Sequence, residues 1–256
     1  MAQILRSESS LQLKQDLLRR EAALLRRLRA AELVGASAVL LAGLIFWLAR
    51  GQSALLWLGG FALFVAIGHT LKLRENESDA DKLEIGSGGE REMSQRLADG
   101  LPDDTFIVND IMIAEGRKTA QVDHFVICPH GIFIVETKNW GGRLTGAVDQ
   151  PNWTLEGRSD KKPLVLRNPI WQNRRQTGFV RRMLQGLGLD WPDVTPMVAM
   201  VSPHCRPEIA GDTSGKMFVG AAVVPYIRGY AWVRNYSRAE IDRVLRHLGV
   251  EIETEA

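Results

Sequence analysis

Cysteine is almost missing. Cys128 and Cys205 are the only two in 256 residues, too few and too far apart for a zinc cluster, and free thiols in a reducing compartment are the simpler expectation. An excess of one charge is missing as well: 32 basic against 30 acidic residues leave +2, so net charge selects no partner and only its local distribution can. Aromatics make up 7%, and ten prolines and 24 glycines are ordinary usage. With 45% hydrophobic and 24% charged residues, the chain is neither disordered nor collagen-like nor a disulfide scaffold. Several catalytic signatures are absent too. There is no G-x-x-x-x-G-K-[S/T] phosphate loop, no serine nucleophile elbow and no H-E-x-x-H, and His69, His130, His204 and His247 show no ligand spacing.

Two long apolar runs are present instead. Leu33 to Ala49 and Ser53 to Leu71 contain no Asp, Glu, Lys or Arg. As helices they would each be about 26–28 Å long, close to a hydrocarbon core of about 30 Å. Trp47 and Trp57 flank the intervening Arg50-Gly51-Gln52, where interfacial aromatics belong. The expectation is a two-helix transmembrane hairpin over residues 33–73; a buried helical hairpin in a soluble core is the alternative. Arg19, Arg20, Arg26, Arg27 and Arg29 precede it and Lys72 and Arg74 follow, against Arg50 alone in the turn. That bias predicts a multi-pass protein with both termini cytoplasmic, in a bacterial inner membrane. Residues 1–32 read as a basic amphipathic helix, and the polar run RENESDAD (74–81) as a linker.

Residues 82–256 are enough for one buried core. Ile85 to Asp99 reads as a turn entering a helix, with Ser87 and Glu90 at capping-box spacing. Three β-rich runs follow, Thr105–Ile113, Gln121–Cys128 and Gly131–Glu136, the last two joined by a tight Pro129-His130-Gly131 turn. Trp153–Leu155 suggests a small strand, and Pro169 starts a helix running to Gly186. Val194–Val201 is a nearly all-apolar internal strand, Val223-Val224 a short one, and Ser237 caps a closing amphipathic helix that reaches Leu248. The class is α/β.

The chemistry lies in the hairpin. Glu136 and Lys138 are two apart on one strand and project from the same face. A short turn brings Asp123 on the neighbouring strand close to them, while His124 points the other way into the core. Two carboxylates and an ammonium at strand ends can hold a hard divalent ion and position a water against a phosphate. The same spacing also serves a plain surface salt bridge.

The runs GGERE, QVDHFVICPHGIFIVETKNWGGRLTG and LRNPIWQNRRQ resemble the NERD (nuclease-related) domain, itself similar to the PD-(D/E)XK restriction-endonuclease-like superfamily. The resemblance covers about residues 82–185. It implies a restriction-endonuclease-like mixed sheet flanked by helices, here preceded by the two membrane helices, and a nuclease-related domain over 82–256 with a C-terminal extension. It makes Asp123 and Glu136 ligands of Mg2+ or Mn2+ and Lys138 the catalytic lysine. Glu90 matches the acid of the first helix and Gln172 a glutamine of the helix beside the site. Val122 stands where the superfamily name has proline, which supplies no ligand. The implied function is a membrane-anchored, metal-dependent nuclease on the cytoplasmic face. A non-catalytic module of the same fold, binding nucleic acid, lipid or protein, is the alternative.

Between Arg158 and Arg182 eight basic residues stand against Asp160, with Trp153 and Trp171 interleaved. Arg167, Arg174, Arg175, Arg181 and Arg182 are the candidates for phosphate contacts, DNA being the favoured partner. A solvated helix face and attraction to anionic lipid are the competing readings.

Overall fold

A computed structural model of the chain describes residues 1–5, 10–50, 54–157 and 162–250. They divide into two compact units, Ser10–Ile85 and a larger one built from Met1–Ser9 and Gly86–Ala256.

In the first unit, α1 spans Ser10–Arg50, and α2, which spans Ala54–Gly100, begins there and runs on into the second. Among the described residues no helix is long and apolar enough to cross a membrane. That finding overturns the multi-pass membrane placement and, with it, the assignment of both termini to the cytoplasm. The apolar runs do not stand alone as spans. They are continuous with charged helical sequence, the arginine-rich first half of α1 and RENESDAD in the middle of α2. Leu44, Ile45 and Leu48 of α1 and Trp57, Phe61 and Phe64 of α2 are exposed. The linker expected at 74–81 is helical. The expected turn at 51–53 lies outside the described residues. Residues 1–32 are not one amphipathic helix, because β1 is a strand over Gln3–Leu5.

The larger unit is mixed α/β. Its main sheet has the order β1-β2-β3-β4-β8-β10, with β2 Phe106–Glu115, β3 Lys118–Cys128, β4 Gly131–Lys138, β8 Val194–Met200 and β10 Met217–Val219. β2, β3 and β4 are antiparallel neighbours, whereas β4 and β8 run parallel. A second sheet, β7-β6-β5-β9, is formed by β5 Gly142–Ala147, β6 Asn152–Glu156, β7 Leu164–Arg167 and β9 Cys205–Ala210. The sequence signals only β6 of these four. β5 and β9 carry Gly and Pro in place of a clean apolar alternation, so period-2 patterning is weak there.

Strand alternation loads both faces of the main sheet. Val108, Val122, Ile132 and Ile134 pack on α3 (Pro169–Gly186) and α5 (Arg238–His247), through Phe179, Val180, Ile241 and Leu245. On the other side Ile107, Val126, Phe133 and Val135 pack on the end of α2 and on α4 (Val223–Arg228), through Met93, Leu97, Val223 and Ile227. Val223-Val224, expected as a strand, opens α4. A two-residue β-branched run fits either state, and burial against the sheet decides for helix here.

No helix starts at Ser87, since α2 passes straight through Gly86-Ser87-Gly88-Gly89, and the expected capping box is absent. Gly89 has a packing reason. A Cβ there would lie 2.8 Å from Asn139 Cβ and 3.0 Å from Val201 Cγ2. The bare backbone lets α2 approach the strand ends closely enough to deliver Glu90. The cap expected at Ser237 is present and is a full capping box, with Ser237 and Glu240 bonding reciprocally.

Candidate active site

The two-residue turn sets the register. Cys128 pairs with Gly131 and His124 with Val135, which brings Asp123 level with Glu136 across the β3–β4 hairpin. Thr137 N donates to Asp123 Oδ2 (2.8 Å). Glu136 is 1% exposed, and both its oxygens are engaged. Lys138 Nζ (2.5 Å) and Gln172 Nε2 (2.6 Å) donate to Oε1, and Gln176 Nε2 (2.6 Å) donates to Oε2. The Lys138 ammonium also lies 5.7 Å from the Trp140 ring centre.

α3 reaches this point because it is anchored over the sheet. Pro196, the register partner of Ile134, has no N–H, and Asn173 Nδ2 donates to Ile134 O (2.8 Å) and to Met197 O. One residue before Asn173 and three after it, Gln172 and Gln176 fall on the same helix face and both meet Glu136. Gln172 was expected from the sequence. Gln176 was not, although its i+4 spacing from Gln172 is the signal that could have found it. Gln176 Nε2 also donates to Gln121 O (2.7 Å).

Asp110 was missed entirely. It is buried, has φ 53° and accepts from Gln121 Nε2 (2.5 Å). A non-glycine residue in left-handed conformation inside a strand is uncommon and clusters at functional sites.

The charges act on one another. Burial, then the nearby charges of Asp110 and Glu136, push the Glu90 carboxyl up to about 7, and Lys138 opposes them. Burial, then Glu136 and Glu90, hold Asp123 well above the ordinary carboxylate range, with Lys138 and the Thr137 N–H pulling the other way. Glu90, Asp123 and Glu136 therefore share one lysine, Lys138.

His124 faces away from the acids, as expected. It is buried, and burial lowers its pKa to about 3. Asn109 Nδ2 donates to Ser94 Oγ (2.8 Å), so Asn109 Oδ1 is the acceptor for His124 Nδ1–H (2.7 Å). Nε2 then accepts from the Thr137 hydroxyl (3.0 Å). Both cysteines are free and buried.

Beside Glu136 opens a cleft of about 580 Å³, lined by Gln121, Arg167, Trp171, Gln172, Arg175 and Gln176 among others. Asn168 builds one wall. It caps α3 by accepting from Ile170 N (2.9 Å), and its Nδ2 donates to Val148 O (3.1 Å) and Gln150 O (2.7 Å) in the β5–β6 turn. The basic strip splits in this frame. Arg167 and Arg175 line the cleft, whereas Arg174 lines a separate pocket with Lys216. Arg181 donates to Val194 O (2.9 Å), and Arg182 pairs with Glu115 (2.7 Å). Trp153 is not interleaved with the arginines. It is 1% exposed and donates to Ala147 O (2.8 Å). Arg158 and Lys161 lie outside the described residues.

This acid–lysine–glutamine arrangement at the strand ends lies within one matched segment. Residues 85–201 match NERD, the nuclease-related domain. The matched segment contains Glu90, Asp123, Glu136, Lys138 and Gln172 and points to a nuclease-related function, with nucleic acid and a divalent metal as the general partners of such a domain. An uncharacterized protein of Bacillus anthracis is 30% identical over 101 residues, which is 39% of this chain and 47% of the relative. The chain thus spans about half the length of the curated relative it matches. No solved structure matches.

Among the described residues no group of three or more His, Cys, Asp or Glu is placed to hold a metal ion. The nuclease-related region nevertheless fits a hard cation of the magnesium type. Such an ion is bound through one or two carboxylates, with water and substrate phosphate completing its shell. Asp123 and Glu136 would supply the two, and the upward shifts of Asp123 and Glu90 mark a cluster short of positive charge.

Proposed function

We propose that this protein is a divalent-metal-dependent nuclease that hydrolyses phosphodiester bonds. The observation that carries the reading is the convergence of Asp123, Glu136 and Lys138, with Glu90 beside them, behind Gln172 and Gln176, which bond Glu136 and line a cleft that also holds two arginines. Asp123 and Glu136 would hold Mg2+ or Mn2+. When bound, that ion lowers the pKa of water and neutralises charge on the phosphate. Gln172 and Gln176 fix the Glu136 carboxylate in one orientation, so its geometry is set before substrate arrives. Lys138 Nζ, held at Glu136 Oε1, would orient the attacking water and balance charge on the phosphate oxygens. Glu90 reaches the same site from α2 and, with a pKa near 7, can hold or release a proton at working pH. Arg167 and Arg175 meet the nucleic-acid backbone.

The test is cleavage of single- and double-stranded DNA and RNA by the full chain, with Mg2+, with Mn2+ and with chelator. Metal-dependent cleavage that is lost in Asp123→Asn and Glu136→Gln supports the proposal. A folded parent that cleaves nothing with either ion overturns it. One observation favours a second reading, a non-catalytic nucleic-acid-binding module: both oxygens of Glu136 are satisfied by protein donors. Binding without cleavage selects that reading.

A further inference from the structure

The cleft beside Glu136 carries more recognition chemistry than hydrolysis of a phosphodiester requires. Trp171 lines it, 42% exposed, and its ring N–H donates to Val148 O (3.1 Å). The indole is thus fixed at its nitrogen while much of its surface stays open. Arg167 and Arg175 line the same space, and among the described residues neither is in an ion pair with an acid. Gln176 is 4% exposed, and its Oε1 is a buried acceptor with no partner among the described residues. The amide cannot simply turn over to relieve this, because Nε2 is committed to Glu136 Oε2 and Gln121 O.

A flat aromatic surface, two cations and an unsatisfied buried acceptor ask for a ligand with a π-face, negative charge and a hydrogen-bond donor. One nucleotide has all three. The volume of about 580 Å³ suits a ligand of that size. Bases in a duplex keep their faces in the stack, so only an unstacked base can lie on an aromatic side chain.

We propose that this cleft receives a single unpaired nucleotide next to the phosphate that is cut, its base on Trp171 and its phosphates on Arg167 and Arg175, with the Gln176 amide supplying the acceptor. The substrate class is therefore single-stranded nucleic acid or the unpaired part of a duplex: a frayed end, a loop or a bulge. This assignment rests on the nuclease reading for its position beside the scissile phosphate.

Binding of the full chain to a single strand and to a blunt duplex of the same sequence, each carrying 2-aminopurine, tests it by anisotropy and by fluorescence quenching, with calcium replacing magnesium. The parent is expected to bind the single strand tighter and to quench the base analogue. Trp171→Ala should weaken single-strand binding roughly 5- to 100-fold, leave duplex binding nearly unchanged and abolish the quenching. Trp171→Phe keeps a ring but loses the N–H, so it should retain most of both signals, separating stacking from damage to the β5–β6 turn. Equal affinity of the parent for both forms, or equal losses on both forms in Trp171→Ala, overturns the assignment. A parent that discriminates and quenches but never cleaves with magnesium sinks the nuclease reading while the nucleotide site stands. A parent that cleaves both forms equally, with Trp171→Ala unaffected, does the reverse.

Discussion

Asp110 and Asp123 stand opposite each other at an interruption of the β2–β3 ladder. The register passes from Asn109↔His124 to Ile111↔Val122 and leaves both aspartates out of the pairing. Asp110 turns into left-handed backbone at that point. The break also shifts which residues face which side. Val108 and Ile111 lie on one face, as do Val122 and Phe125, although strict alternation would separate the members of each pair. Two carboxylates are thereby brought beside Glu90 and Glu136.

Asp110→Asn should lower the Glu90 pKa from about 7 toward its ordinary 4.5, because Asp110 is the largest charge acting on it. Asparagine tolerates the left-handed conformation, so thermal stability should change little. An NMR titration of the Glu90 carboxyl reads the shift; an unmoved titration would show that burial alone sustains it.

Acid stability should reflect two opposed groups. The His124 pKa falls from 6.5 to about 3 on folding, so between those values the unfolded chain takes up a proton that the native protein refuses. Stability then drops as pH falls, by at most about 1.4 kcal/mol per pH unit. Glu90 works the other way. Its native pKa of about 7 exceeds the ordinary 4.5, so stability rises as pH falls through that window, and Asp123 adds to the same trend. Relative to the parent, whose opposed groups offset one another in part, unfolding free energy from pH 7 to 4.5 should therefore rise more toward acid in His124→Gln and rise less or fall in Glu90→Gln. Parallel curves for all three proteins would refute this assignment of protons.

Lys138→Met should separate metal binding from turnover. It keeps the apolar stem and removes the positive charge beside Glu136, so divalent-ion affinity measured by calorimetry should hold or tighten while kcat falls by two or more orders of magnitude. Asp123→Asn and Glu136→Gln should lose both together. Either neutral variant should also bind substrate more tightly without metal, since one repulsive charge is gone. A merely structural salt bridge between Glu136 and Lys138 predicts neither pattern.

The arginines should not behave as one strip. Arg167→Gln and Arg175→Gln should each weaken single-strand binding and reduce the salt slope by about 0.7 per lost phosphate contact. Arg182→Gln, whose parent side chain is paired with Glu115, should do much less. Equal effects at all three positions would return the patch to a diffuse electrostatic surface.

The hairpin that carries Asp123, Glu136 and Lys138 was legible because a two-residue turn converts sequence spacing into register. Once Pro129-His130 is the turn, Asp123 and Glu136 must fall level, and Lys138 follows on the same face. Glu90 and Gln172 came through the family resemblance, and the structure couples both to the hairpin. Asp110 was hidden because no local pattern announces a left-handed residue inside an apolar strand. The glycine run before Glu90 misled for a related reason. Its local preference is to break a helix, yet close packing against Asn139 and Val201 keeps α2 intact through it. The apolar runs misled through their length, which says nothing of the charged sequence that continues the same helices.

Gly89→Ala tests that packing. In an exposed helix alanine would stabilise by roughly 1 kcal/mol. Here the added methyl meets Asn139 Cβ at 2.8 Å, and overpacking of this kind costs about 1–3 kcal/mol. The expected outcome is a lower melting temperature together with a Glu90 pKa shifted back toward 4.5, as α2 is pushed from the acids. A stabilised variant would show that the strand ends yield instead.

Asn168 fastens the start of α3 and the β5–β6 turn with one amide. Trp171, and through α3 also Gln172 and Gln176, ride on the helix that this amide begins, while the facing wall hangs from its nitrogen. The spacing of these two walls is therefore tied by one side chain and does not wait for a ligand to set it. Any ligand of this cleft would meet walls whose separation is fixed in advance, so fit would be tested at first contact.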